Sequence, residues 1–207
     1  MGFRFPMMRP KGGEQSGDGF DIIPMRRRHL KAVVAIEQQV FPSPWSLGLY
    51  LSELALGSSR AYYVARFDGE IVGYAGLMIA VGDGHVTTIG VDPAWQRRGV
   101  GRRLLLTLAR TARERGAEHL TLEVRATNHG AQAMYHQFGF VPAGIRKNYY
   151  AEVNEDAVVM WAHDIQRDAY AARLDDIATR AGVGPGGDGV RGGEGSRAGG
   201  DGGDDDQ

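Results

Sequence analysis

Gln96-x-x-Gly99-x-Gly101 is the stretch best suited to hold a charged ligand. Glycine lets a backbone approach a ligand closely and take up positive φ without a Cβ penalty. The N–H groups that open a helix lack internal partners, and the helix dipole makes that end positive. A glycine turn that runs into a helix is therefore an anion cradle of pyrophosphate size. Seven arginines and one acid, Glu114, lie from Arg97 to Arg115. Arg97, Arg98, Arg102 and Arg103 stand nearest the turn, where they can add charge-assisted bonds to phosphates. Two other phosphate loops are excluded. No run has the Gly-x-x-x-x-Gly-Lys-Ser/Thr of a P-loop, and Leu104 occupies the place of the third glycine in a dinucleotide fingerprint. On its glycines alone the stretch reads equally as an ordinary turn before a solvated basic helix.

The cradle needs a strand before it and a helix behind it. Residues 85–91 read as the strand, and after the glycine turn the chain runs as a helix to about Arg115, with Gly116 as its C-cap. Residues 119–124 form the next strand, and Asn128 opens a helix ended by Gly139. Residues 140–146 and 157–165 read as two closing strands. Upstream, residues 20–24 open the sheet, and residues 25–40 carry Leu30, Val33, Val34, Ile36 and Val40 mostly at helical spacing. Two prolines make 41–45 a loop, and Ser46 caps a second helix to about residue 56. Residues 60–67 and 70–81 flank the hairpin turn Asp68-Gly69, and Gly82-Asp83-Gly84 turns the chain again. The expected fold class is α/β, a mixed, mostly antiparallel central sheet with helices on both faces. A right-handed crossover makes strands 85–91 and 119–124 parallel neighbours. Open sheets of this kind place ligands beyond the carboxyl ends of their strands.

The 207-residue chain is long enough for one domain with a sizeable core. Its net charge of -1 demands neither nucleic acid nor a membrane surface as partner. Cysteine is absent, which removes disulfides, thiolate metal sites and cysteine nucleophiles and suits a cytoplasmic protein. No apolar run approaches the ~20 residues of a membrane helix, and the N-terminal stretch has no apolar signal core. Residues 1–19 read as a disordered extension, 20–165 as the folded domain and 166–181 as a short helix. The stretch 182–207 holds twelve glycines in 26 residues, too little apolar surface to offset ordering, and reads as a disordered acidic tail. The six histidines show no metal-ligand spacing and are assigned to surface or packing, so no metal is expected.

Taken together, the motifs resemble one family. Val91-Asp92-Pro93-x-x-Gln96-x-x-Gly99-x-Gly101-x-x-Leu104-Leu105 is similar to the acetyl-CoA motif of the GNAT N-acetyltransferases. Leu122-Glu123-Val124-Arg125-Ala126-Thr127-Asn128 and Ala133-Met134-Tyr135-x-x-x-Gly139-Phe140 match further along. Phe41-Pro42-Ser43-Pro44-Trp45-Ser46 and Arg146-Lys147-Asn148-Tyr149-Tyr150 resemble the ribosomal-protein-alanine branch of that family. The resemblance covers roughly residues 21–165. It implies a GNAT fold whose two parallel strands splay apart around acetyl-CoA as co-substrate. It also implies transfer of the acetyl group to the N-terminal alanine of a small-subunit ribosomal protein. A monomer is expected.

Acetyl transfer from a thioester to an amine requires removal of a proton from the amine, a donor for the carbonyl oxygen, and a proton for the leaving thiolate. Alternation places Glu123 on the opposite face from Leu122 and Val124. By itself it is as readily a solvent-facing strand residue; the resemblance makes it the general base. Tyr135 lies two turns from Asn128 on one helix face and at helical spacing with Ala131 and Phe138, an ordinary core position. The resemblance makes it the general acid. Asn128 suits a helix cap and, by resemblance, also touches the cofactor's pantetheine arm. Ile89, Gly90 and Val91 offer backbone groups to the acetyl-pantetheine, with Val91 N–H as the oxyanion donor and Gly90 suited to close approach. Arg97, Arg98, Gly99, Val100, Gly101 and Arg102 take the phosphates. Trp45, Tyr149 and Tyr150 wall the peptide site or simply pack. Glu37 meets the substrate's positive end, and Arg125 orients Glu123 or the substrate, or simply braces the sheet. Two rivals stay open. The first is a GNAT enzyme for other N-termini, lysine or a small amine; the second is a non-catalytic acetyl-CoA sensor.

Overall fold

The computed structural model describes residues 19–183. The expected N-terminal extension and glycine-rich tail fall almost wholly outside the described residues. Strand β1 (Phe20–Pro24) is followed by helices α1 (Leu30–Val40) and α2 (Leu47–Ala55). Three strands come next: β2 (Arg60–Phe67), β3 (Glu70–Ala80) and β4 (Asp83–Val91). Then follow α3 (Val100–Glu114), β5 (His119–Arg125), α4 (His129–Gln137), β6 (Val141–Tyr150), β7 (Glu155–Ala162) and α5 (Asp168–Arg180). The strands make one seven-stranded sheet in the order β1-β2-β3-β4-β5-β7-β6. Every neighbouring pair is antiparallel except β4 and β5, which the α3 crossover makes parallel. The fold is the mixed α/β sheet expected from the sequence.

Period-two alternation divides the core into two layers. From β2, Ala61 and Ala65 face the layer of α3, where Val100, Leu104, Leu105, Leu108 and Ala112 are buried. Tyr62 and Val64 face the other layer, with Leu30, Val33 and Ile36 of α1 and Tyr50 of α2. Each buried leucine of α3 contributes about 1.5–3 kcal/mol relative to exposure, so α3 is anchored firmly behind the cradle. Tyr170, Leu174 and Ile177 of α5 join the α3 layer. Arg103 fastens the two helices by donating to the Ala181 carbonyl at 2.5 Å.

Some boundaries differ from the sequence reading, for physical reasons. The first helix begins at Leu30, not near Met25, because Met25 N–H donates to Tyr62 O at 2.8 Å and holds the chain extended. Strand β4 begins at Asp83 because the turn needs only Val81 and Gly82, at φ 52 and 84. Two positive φ values are what a tight two-residue hairpin demands. Strand β6 runs on to Tyr150 because a register shift between Arg146 and Tyr150, with Asn148 at φ 49, keeps it paired to β7.

One irregularity shapes the molecule. β4 and β5 pair only at Asp83–His119, Gly84–Leu120 and His85–Thr121. Beyond that point β4 stays with β3 as far as Val91, and β5 stays with β7 as far as Arg125. Opposite β4, Gly76 pairs with Thr88 and Leu77 with Val86, which leaves Thr87 as an extra residue. A bulge of this kind bends its strand, and the last pair between the two parallel strands, His85–Thr121, lies just before it.

Candidate active site

The parted strands open a cleft of about 840 Å³. At one end lies the glycine turn. Asp92 caps a short turn by accepting from Ala94 N–H at 2.8 Å, and Gln96 donates to the Val91 carbonyl at 3.2 Å. The chain then passes Arg97 at φ 63 and Gly99 at φ 84 before α3 begins. Non-glycine residues rarely adopt such a φ, and strain of this kind gathers at functional sites. No side chain among the described residues caps the first turn of α3, so the N–H groups of Val100, Gly101 and Arg102 face the cleft without a capping acceptor there. Open space surrounds the position of a Cβ on Gly99. Arg97 and Arg102 line this end, and Arg102 Nε is buried with no hydrogen-bond partner among the described residues. Arg98 does not line it; its guanidinium lies 4.9 Å from the centre of the Trp95 ring.

The floor is the free edge of β4. Asp92 N–H donates to Val72 O on β3 at 3.0 Å. Alternation along the strand therefore turns the N–H groups of Ile89 and Val91 toward the cleft. Gly90 faces the α1 layer, where a Cβ would come within 2.4 Å of the Tyr74 ring. The group that needs a bare backbone at Gly90 is thus Tyr74, its cross-strand partner. Tyr74 is a neighbour that the sequence reading of Gly90 does not name.

Glu123 lies on the opposing strand, with its side chain only 8% exposed. One carboxylate oxygen is 3.2 Å from Arg146 on β6, and the other is 3.2 Å from His85 on β4. Burial holds His85 below the ordinary histidine range; Glu123 opposes this and Arg146 adds to it. Neither His85 nor Arg146 was assigned a site role from the sequence. A signal did exist for His85. Once β4 and β5 are parallel neighbours, His85 pairs with Thr121, and Glu123 lies two residues further on the same face. Arg125, the residue suggested as an orienter, has its carbonyl held by Gln132, and Arg146 is the arginine on Glu123.

Tyr135 reaches the same cleft from α4. Burial pushes its hydroxyl pKa well up, and it has no hydrogen-bond partner among the described residues. Asn128 caps α4 by accepting from Ala131 N–H at 3.1 Å and lines the cleft beside it. At the far end stand Trp45, Tyr149 and Tyr150. The two tyrosine rings sit edge to face, 5.2 Å apart. The Tyr150 hydroxyl is pushed up to about 12, first by burial and then by Tyr149 and Glu123. Ser43 donates to Glu152 at 3.0 Å, tying the loop of Trp45 to the turn after Tyr150.

The cleft thus has an anion cradle, an unpaired strand edge, a carboxylate facing a phenol-bearing helix, and an aromatic mouth. Residues 30–140 match the acetyltransferase (GNAT) family, and the chain belongs to that family. Within it, the sequence sides with one branch. It is 36% identical to the [ribosomal protein bS18]-alanine N-acetyltransferase of Escherichia coli (strain K12), over 63% of this chain and 88% of that one. It is 40% identical to the N-alpha-acetyltransferase RimI of Mycobacterium tuberculosis, over 66% and 87%. Among solved structures, the ribosomal-protein-S18-alanine N-acetyltransferase of Escherichia coli superposes with a TM-score of 0.64 at 33% identity, covering 70% of this chain and 94% of that one. Ard1 of Thermoplasma volcanium superposes with the same score at 25% identity, over 69% and 96%.

Proposed function

We propose that the protein is an acetyl-CoA-dependent Nα-acetyltransferase of the cytoplasm whose acceptor is the N-terminal alanine of a small-subunit ribosomal protein. The observation that carries this reading is the position of Glu123. It is a sequestered carboxylate facing the unpaired edge of β4, in one cleft with Tyr135 and the anion cradle. The similarity to the bS18-alanine enzymes supports the acceptor.

Acetyl-CoA supplies the acetyl thioester. Its pyrophosphate fits the uncapped first turn of α3, with Arg97 and Arg102 neutralising charge; the orphaned Arg102 Nε is the donor most in need of such a partner. The edge of β4 at Ile89–Val91 accepts the pantetheine arm as an added strand, and Asn128 flanks it. Trp45, Tyr149 and Tyr150 hold the peptide N-terminus at the mouth. An α-amine has a pKa of about 7.7–8.0, so it arrives mostly protonated. Glu123 takes that proton, directly or through water, while Arg146 and His85 hold its two oxygens in place. Val91 N–H donates to the carbonyl oxygen as charge develops on it. Tyr135 keeps its proton through neutral pH and passes it to the departing thiolate. Transfer is direct, without an acyl-enzyme.

The test is thiol release from acetyl-CoA with a short peptide that begins in alanine. The same peptide, blocked at its N-terminus, is the control. Release with the free peptide alone is expected. Equal release from both, or release only with lysine-bearing peptides, overturns the reading.

A further inference from the structure

Glu37 of α1 is 2% exposed, yet no cation accompanies it among the described residues. Burying a carboxylate in this way is costly unless donors surround it. Here three donors do so, from three different parts of the chain. Trp45 N–H reaches Oε1 at 3.1 Å, Tyr50 O–H reaches Oε2 at 2.7 Å, and Tyr74 O–H also reaches Oε2. Burial pushes the carboxyl above the usual range, and the bonds from Trp45 and Tyr50 pull it back.

What these donors carry matters more than their number. Trp45 is the aromatic wall at the mouth of the cleft. Tyr74 lies against the bare backbone of Gly90, in the middle of the β4 edge. Tyr50 is core: its ring packs on Trp45 at 5.4 Å, and it does not line the cleft. One carboxylate therefore joins the peptide wall to the strand that receives the acetyl arm.

We infer that Glu37 is a positioning residue: it sets the peptide wall through Trp45 N–H and the β4 edge through Tyr74. The inference rests on the acetyltransfer reading above for its kinetic consequences, but not for its structural ones. In Glu37→Gln the amide nitrogen replaces one acceptor and faces a donor. The amide oxygen best serves the two phenols, so Trp45 N–H loses its partner and the wall loosens. Tyr74→Phe keeps the ring on Gly90 and the Trp45 bond but cuts the link from Glu37 to β4. Tyr50→Phe removes a bond of the same kind but keeps the ring against Trp45 and Tyr74 and leaves both of their own bonds to Glu37.

The experiment compares these three variants with the wild-type full chain. Expected for Glu37→Gln is a rise of about tenfold in KM for the alanine peptide, equal to about 1.4 kcal/mol, with KM for acetyl-CoA within twofold. Tyr74→Phe is expected to lower kcat about tenfold with the peptide KM unchanged. Tyr50→Phe lowers the melting temperature and leaves kcat and both KM values in place. Hydrogen exchange supplies a readout that needs no turnover: the Trp45 amide exchanges at least tenfold faster in Glu37→Gln than in Tyr50→Phe. If the wild type releases no thiol with the alanine peptide, the acceptor assignment fails, and the exchange result still decides the role of Glu37. Equal Trp45 exchange in the two variants overturns the inference, as does one kinetic profile shared by all three. Where Glu37→Gln does not fold, the kinetic split between Tyr74→Phe and Tyr50→Phe decides.

Discussion

Replacing Glu123 by glutamine separates a catalytic role from a structural one, because the structure gives different sizes to the two losses. The Arg146 partner is 56% exposed, and half-solvated pairs contribute about 0–1 kcal/mol. His85, held below its usual range by burial, lies 3.2 Å from the other oxygen, a contact worth no more than an ordinary hydrogen bond of about 0.5–1.5 kcal/mol. The amide oxygen of glutamine can keep that contact. Stability should therefore fall by no more than about 1 kcal/mol, a melting shift of roughly 2–4 °C for a domain of this size. Loss of a positioned general base costs about 10²–10⁴ in rate, or about 2.7–5.4 kcal/mol of barrier. Acetyl-CoA affinity should stay within threefold, since the cradle is built from α3 and its turn. The assays are thiol release at saturating peptide, calorimetric binding of acetyl-CoA, and a melting curve. A kcat within threefold of wild type refutes the role of Glu123. So does a rate loss that merely tracks a large fall in melting temperature.

Four further outcomes follow from the geometry. Tyr135→Phe should lower kcat about 10²-fold and shift the melting temperature by less than about 2 °C, because its hydroxyl gives up no hydrogen bond to the described residues; steady-state kinetics and calorimetry check both. Arg102→Ala should raise KM for acetyl-CoA about 10–100-fold, the worth of one charge-assisted bond, with kcat at saturation unchanged. Gly90→Ala places a Cβ about 2.4 Å from the Tyr74 ring and should cost about 2–4 kcal/mol by overpacking and the lost Glu37 bond. A fall of at least about 5 °C in melting temperature is expected, while Gly101→Ala, whose Cβ meets nothing closer than 3.7 Å, should not fall. Acidification should destabilise the fold. His85 and His29 both sit below the ordinary value of about 6.5 when folded, so below that pH the unfolded chain binds more protons and stability drops. Melting curves between pH 7.5 and 5.5 should show this, with a shallower slope in His85→Gln; an unchanged slope removes His85 from the account.

The fold was legible where local pattern decides it. The aromatic and β-branched run 60–67, the alternation in 119–124, the leucine face of 104–108 and the Asp68-Gly69 turn each specify an element without help from distant residues. The parallel pairing of β4 and β5 followed from the handedness of one crossover. The parting of those strands was not legible from pattern alone, because residues 86–91 and 122–125 keep a strand-like sequence while pairing only with β3 and β7. Likewise, alternation assigns a face to His85, Glu123 and Arg146 but does not name their neighbours, and the contact among them spans β4, β5 and β6.

Gly90 shows the same limit from the other side, and it bears on how the site works. A glycine within a strand signals close approach by something, without saying what. Here the neighbour is the Tyr74 ring, and its hydroxyl reaches the buried carboxylate that also holds Trp45 N–H. The pyrophosphate role we propose for the cradle and its helix rests almost wholly on local geometry, which is why a short motif announces it. Choice of acceptor has no comparable local motif. It needs the mouth and the β4 edge held at a fixed separation, and these distant parts of the chain are joined at Glu37 of α1. A loosened wall should therefore affect the peptide before it affects the cofactor, and substitutions around Glu37 should redirect acceptor preference while the anion cradle keeps its affinity.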